Sequence, residues 1–287
     1  MSSQTVSKVS SEQTGQVVAV WSAPGSVGRS QIAAAISTTI AEAGLSTLLI
    51  DADVVAPSQL QIFGFAENHV GLASACRLAA REGLDEQSLR AVTLEYQLAK
   101  HTLQILPGLH LVSRWPELGF QPMRNLIGLA RNSFDAVVID MSASLERELI
   151  DQRTLAERFA VNHAVLAEAT HIVGICLDDP ISVARYAWAI QELNQLGHGE
   201  RLITLINRSR SSAKNRGALE TVLSRQAGVV VSAYLSDDAE LFSRASDLAL
   251  PFSLTPRNSP TKQALASFVR SRILGLATSG RRLAKLG

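Results

Sequence analysis

The segment most informative about the fold is VAVWSAPGSVGRSQ at residues 18–31. A short apolar run leads into a turn that holds Gly25 and Gly28, and a run rich in small residues, IAAAISTTIAEAG, follows at 32–44. The pattern predicts a buried strand, a glycine turn and a helix whose alanines pack closely on a sheet. Glycines let backbone N–H groups turn inward around an anion, at which the helix directs its positive end. The alternative is a glycine turn that binds no ligand.

Further apolar runs alternate with segments of helical periodicity along the rest of the chain. The predicted strands are 16–22, 47–50, 103–106, 136–139, 171–177, 202–206 and 229–233. The predicted helices are about 30–43, 71–82, 121–131, 181–196, 214–226, 237–245 and 260–277. Apolar strands that alternate with helices indicate an α/β fold of three α/β/α layers with a mostly parallel sheet. We expect one domain at 16–277, between a disordered tail at 1–15 and a basic tail at 278–287.

Polar residues end several of the predicted strands. Asp51, Asp140, Asp178 and Asn207 each follow an apolar run directly. In open α/β sheets the carboxyl ends of the strands form the ligand crevice, so these residues are candidate site residues.

Two segments resemble a known family. The loop PGSVGRS at 24–30 stands where P-loop ATPases of the MinD/ParA type have KGGxGKT, and Asp51-Ala52-Asp53 matches their D-x-D switch. The sequence RWPEL at 114–118 is similar to a segment of the CpaE/TadZ-like branch, whose members serve pilus assembly and polar localisation. Three more segments extend the resemblance over residues 16–275: FDAVVID at 134–140, Asn207-Arg208, and RNSP at 257–260.

This resemblance implies a site for ATP and Mg²⁺. The phosphates would be bound by the loop and the helix start, namely Gly25, Ser26, Val27, Gly28, Arg29, Ser30 and Gln31. Asn207 and Arg208 would bind the base, since an amide offers a purine edge one donor and one acceptor. The Mg²⁺ ligands would be Ser30, Asp51 and Asp140. Asp53 and Arg29 would be the catalytic residues.

Two positions depart from the family pattern. Pro24 stands where the family has a signature Lys that reaches a partner's nucleotide across a dimer interface. Arg29 replaces the Lys of GxxxxGK[ST], although its permanent charge and planar fork can still hold phosphate. Because phosphoryl transfer depends on positive charge at the developing anion, we expect hydrolysis to be slowed by about a hundredfold or more.

Three interpretations of function remain open. The first is a weak ATPase, expected to be a homodimer, whose nucleotide state positions pilus, secretion or cell-division machinery. The second is a non-catalytic scaffold of the same fold that acts through protein contacts. The third is a dinucleotide-binding oxidoreductase, although the spacing of Gly25 and Gly28 is too short for GxGxxG.

The composition bears on location and chemistry. The 287 residues carry a formal net charge of +1 and contain two cysteines, Cys76 and Cys176, both in apolar surroundings. We predict buried reduced thiols, no zinc site and a cytoplasmic protein, because the polar N-terminus lacks the hydrophobic stretch of a secretory signal.

The C-terminal third is net basic, while the rest of the chain is net acidic. A basic face can contact DNA or the inner face of a membrane, and a solvated surface of mixed charge is the alternative. Candidate contacts to DNA phosphates are Arg208, Arg210, Lys214 and Arg216. Apolar residues at 265, 268, 269, 273 and 276 form a helical stripe flanked by Arg270, Arg272, Arg281, Arg282 and Lys285. We interpret this stripe as a covering helix, and a membrane-surface helix is the alternative.

Overall fold

A computed structural model describes residues 14–65, 69, 71–147, 149–151, 156–210 and 212–276. Its strands are β1 Gln16–Ser22, β2 Thr47–Ala52, β3 Leu94–Gln97, β4 Thr102–Leu106, β5 Ala136–Met141, β6 Leu149–Asp151, β7 Ala156–Glu157, β8 His171–Leu177, β9 Leu202–Ser209 and β10 Val231–Ser236. Its α-helices are α1 Arg29–Glu42, α2 Gln59–Ile62, α3 Leu72–Ala80, α4 Glu86–Val92, α5 Phe120–Ser133, α6 Ala160–Glu168, α7 Pro180–Gln195, α8 Ala213–Ala227, α9 Ala239–Asp247 and α10 Pro260–Phe268. Residues 1–13 and 277–287, and with them most of both predicted tails, lie outside the described residues.

Eight strands form one sheet in the order β10-β9-β8-β1-β5-β2-β4-β3. Every neighbouring pair is parallel except β3 and β4. A separate two-stranded ribbon pairs β6 with β7. The strand that precedes the glycine turn, β1, therefore lies inside the sheet, with neighbours on both sides.

Apolar side chains cover both faces of the sheet, because successive residues of a strand point to opposite sides. Val17, Ala19 and Trp21 of β1 belong to one buried cluster, together with residues of α3, α5, α6 and α7. Val18 and Val20 belong to the other cluster, with α1, α9 and α10. The three-layer α/β/α fold with a mostly parallel sheet is thus confirmed.

Some elements differ from the sequence predictions. The strand expected at 229–233 begins two residues later, as β10, and β3, α2 and α4 had not been predicted. The helix α6 was also missed, because AVNHAVLAE presents no polar face: residues 160–166 are all buried. A helix that is buried all round lacks the stripe on which periodicity arguments depend.

The C-terminal stripe packs against the sheet. Leu265, Phe268, Val269 and Ile273 are buried in the cluster that contains α1, and only Leu276 of the five is exposed, at 53%. The helix α10 continues into a π-helical turn, Val269–Ile273. The stripe therefore behaves as a covering face within the described residues, which exclude Arg281, Arg282 and Lys285. None of the described helices combines the length and apolar character needed to cross a bilayer.

Candidate functional site

The predicted site residues converge at the carboxyl edge of the sheet. The register pairs Asp51 of β2 with Asp140 of β5, and Asp140 with Val20 near the end of β1. Three neighbouring strands therefore end at the point where the glycine turn begins.

The glycine turn leaves the start of α1 without an internal cap. Gly25 and Gly28 have φ of 145° and 84°, a region that a side chain disfavours. Gly28 is the N-cap of α1 and provides no side-chain hydrogen bond to it. Among the described residues, none accepts a hydrogen bond from the backbone amides of residues 25–31. Free amides at the positive end of a 14-residue helix suit an anion such as a phosphate group.

The Arg29 side chain is held by the protein's own acidic groups. Its Nε donates to Asp140 Oδ1 at 3.2 Å, and one terminal nitrogen forms an ion pair with Asp53. The other terminal nitrogen lies 3.4 Å from Ser22 Oγ. The whole guanidinium fork is thereby engaged at the strand ends.

The carboxylates of the D-x-D segment organise the chain that follows β2. Asp51 accepts from the amides of Ser58 and Gln59 at 2.8 and 2.9 Å. Asp53 accepts from the amides of Val55 and Ala56 at 2.8 and 3.0 Å. Both carboxylates therefore fix the connection between β2 and α2.

Burial shapes the proton affinity of these groups. Desolvation by burial, with a smaller contribution from the neighbouring Asp140, raises the pKa of Asp51 to about 8. Burial also raises the pKa of Asp140, while the Arg29 guanidinium opposes that rise. Burial therefore favours the protonated forms of Asp51 and Asp140, and neighbouring cations and hydrogen-bond donors favour the ionised forms.

Gln59 is a site residue that the sequence prediction missed. Its Nε2 donates to Asp140 Oδ2 at 2.8 Å and to the Ser30 carbonyl at 3.1 Å. The side chain is fully buried, and its Oε1 has no partner among the described residues. The only sequence signal for Gln59 is that a polar residue follows the D-x-D segment closely. Its spacing from that segment does not indicate that its side chain contacts β5.

Asn207 closes the opposite side of the loop. Its Nδ2 donates to the Val27 carbonyl at 2.8 Å, and its buried Oδ1 has no partner among the described residues. A Cβ on Gly28 would lie 2.7 Å from that nitrogen, so the loop and β9 pack without room for a side chain. Arg208 is exposed, with φ of 51°. The amide donor of Asn207 is thus committed to the loop, and its acceptor is free for a ligand.

The other strand-end and family-like segments form structural contacts. Asp178 accepts from the Arg210 amide at 2.8 Å. In the RWPEL segment, Arg114 donates to Glu117 at 2.5 Å. In the RNSP segment, Ser259 caps α10 and donates to Asp238 at 2.7 Å.

The expected metal ligands do not fit Mg²⁺ in this arrangement. Arg29 and Gln59 take the two oxygens of Asp140, and the Ser30 hydroxyl bonds to it as well. The oxygens of Asp51 and Asp53 are taken by backbone amides and Arg29. Since Mg²⁺ requires near-octahedral oxygen ligands, it would have to displace the guanidinium. Within the part of the chain that the structure describes, no cluster of three His, Cys, Asp or Glu could hold a metal ion.

Comparisons of sequence identify relatives for part of the chain. A family model described as ParA, NUBPL iron-transfer P-loop NTPase, matches residues 13–104. The succinoglycan biosynthesis transport protein ExoP of Rhizobium meliloti is 35% identical over 135 residues, which make up 45% of this chain. The match spans only 16% of the length of that relative.

Solved structures resemble nearly the whole chain. A ParA family ATPase from Chlorobium tepidum has a TM-score of 0.73 and 17% identity, and the match covers 88% of this chain and 98% of that one. The MinC:MinD complex of Aquifex aeolicus has a TM-score of 0.70 and 18% identity, and the match covers 93% of this chain and 99% of that one. MinD complexed with Mg-ADP from Pyrococcus horikoshii has a TM-score of 0.68 and 16% identity, and the match covers 91% of this chain and 98% of that one. The chain therefore has the fold of the MinD/ParA P-loop NTPases.

Proposed function

We propose that this chain is a nucleotide-binding protein of the MinD/ParA type, which binds ATP or ADP and hydrolyses ATP very slowly or not at all. The observation that carries the proposal is the uncapped start of α1, where the amides of residues 25–31 have no acceptor among the described residues. A phosphate chain supplies those acceptors. The match of residues 13–104 to the ParA family model supports the same ligand class.

The phosphates would be held by the loop and the helix start: Gly25, Ser26, Val27, Gly28, Arg29, Ser30 and Gln31. The free Oδ1 of Asn207 would accept from an amino group of the base, with Arg208 beside it. The exocyclic N6 amine of adenine is such a donor, so the acceptor is compatible with ATP and ADP. In this proposal the bound nucleotide supplies negative charge that orders the loop.

The engagement of Arg29 favours the non-catalytic interpretation over a weak ATPase. Its fork faces Asp53 and Asp140, so the cation and the carboxylate predicted to be catalytic neutralise each other. Pro24 supplies neither charge nor an N–H. Positive charge that stabilises the developing anion contributes most to catalysis of phosphoryl transfer. Residue 24 carries no such charge, and the charge of Arg29 is directed at Asp53 and Asp140 instead.

The biological role that we propose is nucleotide-dependent positioning or scaffolding of a cell-envelope machine, by a cytoplasmic homodimer. The RWPEL segment supports the CpaE/TadZ-like branch and hence pilus or secretion machinery. The MinC:MinD complex among the structural neighbours supports binding of a division protein by a chain of this fold. Contact with DNA or the inner face of the membrane would use exposed arginines such as Arg208 and Arg270 rather than the buried stripe.

Calorimetric titration of the purified chain with ATP and with ADP tests the proposal. We expect binding by the wild type and a large loss in Gly28→Ala, whose new Cβ would push Asn207 and the loop apart. The control is Gly197→Ala, which also has positive φ but has open space around it. Absence of binding at millimolar nucleotide would refute the nucleotide function.

A turnover assay separates the two interpretations. We expect the wild type to release phosphate at no more than background rate and the double variant Pro24→Lys/Arg29→Lys to gain turnover. Phosphate release by the wild type above the background measured without protein would instead establish a weak ATPase.

A further inference from the structure

The acidic pair formed by Asp53 and Asp140 already contains a cation. Arg29 reaches it from the first residue of α1, with Nε 3.2 Å from Asp140 and a terminal nitrogen paired with Asp53. Asp140 is fully buried, Asp53 is 3% exposed and the Arg29 side chain is 13% exposed. A buried pair of carboxylates without a counter-cation is costly, so this position of the guanidinium is strongly favoured.

Other donors complete the coordination of the pair. Gln59 takes the second oxygen of Asp140, and the amides of Val55 and Ala56 take the second oxygen of Asp53. Every oxygen of the pair therefore already accepts at least one hydrogen bond, and a metal ion would have to displace donors to bind there.

Mg²⁺ competes poorly for such a position. The ion gives up its hydration water reluctantly and requires oxygens in near-octahedral geometry. To bind here it must expel a guanidinium that is covalently tethered to α1 and leave that guanidinium with a new partner. The phosphate loop does not share this limitation, because its free amides lie on the backbone of residues 25–31.

We propose that Arg29 is a built-in replacement for the divalent metal, so that the loop binds nucleoside di- and triphosphates without a metal ion. The ligand in this proposal rests on the proposed function, whereas the exclusion of metal by Arg29 does not. The chain would respond to nucleotide concentration independently of free Mg²⁺.

The first arm of the test uses Mn²⁺ alone, followed by its paramagnetic resonance signal. We expect no binding by the wild type, and binding by Arg29→Gln, which removes the charge and frees the acidic pair. The matched control is Arg77→Gln, which breaks the exposed ion pair with Glu117 and should behave as the wild type. Wild-type binding of Mn²⁺ as tight as that of Arg29→Gln would overturn the proposal.

The second arm measures ADP affinity by calorimetry, with Mg²⁺ or with EDTA. We expect less than about a twofold difference for the wild type, and at least about a tenfold dependence on Mg²⁺ for Arg29→Gln. A tenfold metal dependence in the wild type would overturn the proposal. Failure of ADP to bind under either condition refutes the proposed function alone, because the Mn²⁺ result still decides whether Arg29 excludes metal.

Arg29→Met, a second uncharged variant, guards against misfolding of Arg29→Gln, and circular dichroism checks that both variants are folded. Arg29→Met also removes the cation from the acidic pair, so we expect it to bind Mn²⁺ as Arg29→Gln does. Failure of both folded variants to bind Mn²⁺ would show that the charge of Arg29 does not exclude the metal, and would overturn the proposal.

Discussion

Two strand-to-helix junctions at the same sheet edge differ in whether the first backbone amides of the helix have an acceptor. The strands β1 and β8 are parallel neighbours, and each leads into a long helix, α1 or α7. At α7 the N-cap Asp179 accepts from the amides of Ile181 and Ser182 at 3.1 and 3.0 Å. At α1 the N-cap is Gly28, which has no side-chain acceptor for the first amides of the helix. One helix start is closed by its own carboxylate, and the amides of the other have no acceptor among the described residues.

The position of acidic side chains explains this difference. The α7 junction carries its carboxylate at the cap itself, where hydrogen bonds from Ser182 lower the pKa of Asp179. At the start of α1, Arg29 binds the carboxylates of Asp53 and Asp140 at the strand ends. A region that keeps its own anions away from free amides is suited to bind a foreign one.

The largest effect on stability is expected from Gly28→Ala, which fills the junction of α1. The residue has φ of 84°, and its Cβ would lie 2.7 Å from Asn207 Nδ2. We expect the free energy of unfolding to fall by about 2–4 kcal/mol from left-handed strain and crowding together. The control Gly228→Ala has φ of 67° and open space, so it should lose about 1–2 kcal/mol. Equal losses in urea unfolding would show that Asn207 does not restrict the loop.

A second prediction concerns Asn207→Ala, which removes the donor to the Val27 carbonyl. We expect a loss of about 1–3 kcal/mol, because the loop carbonyl is left unpaired. Since the Asn207 amide is also the group that crowds residue 28, the double variant with Gly28→Ala should lose less than the sum of the singles. A coupling of at least about 0.5 kcal/mol in a double-mutant cycle is expected, and strict additivity would contradict it.

A third prediction opens the α7 junction. Asp179→Ala should cost about 1 kcal/mol at neutral pH, because two amides lose their acceptor. The pKa of Asp179 is lowered by folding, so its contribution is present above the ordinary value of 3.8 and is lost as pH falls through the lowered pKa. Thermal unfolding of wild type and variant should therefore converge in acid. Asp179→Asn keeps a capping side chain that carries no charge, so its stability relative to Asp179→Ala should not change with pH. A pH-dependent difference in stability between these two variants would show that ionisation of Asp179 is not the cause.

The smallest effect on stability is expected from Ser26→Asp, which gives the α1 junction a carboxylate of its own. Ser26 is exposed, so we expect stability to change by no more than about 0.5 kcal/mol. Affinity for ADP or pyrophosphate should fall by about tenfold, or about 1.4 kcal/mol, through repulsion between like charges. The uncharged Ser26→Asn is the matched control. Unchanged pyrophosphate affinity in Ser26→Asp would place the anion elsewhere.

Sequence patterns were sufficient for the parallel sheet and for the set of residues at its edge. The apolar runs of β1, β2, β5, β8 and β9 are buried over most of their length, and sequence identifies such strands easily because both faces are apolar. Predictions failed where local pattern carries little information. The short antiparallel strand β3 is half-buried, and the helix α6 is buried on all sides.

Pattern and spacing alone predict that the glycine turn and the strand-end carboxylates meet at one place, because parallel strands end at a common edge. Which group contacts which depends on how the whole chain packs. The Arg29 side chain was expected to bind phosphate, but it contacts Asp53 and Asp140. Gln59 donates a hydrogen bond to Asp140, which lies 81 residues away in the sequence. The physical reason is burial: a carboxylate removed from water binds the nearest available cation or donor, and sequence spacing does not reveal which one is nearest.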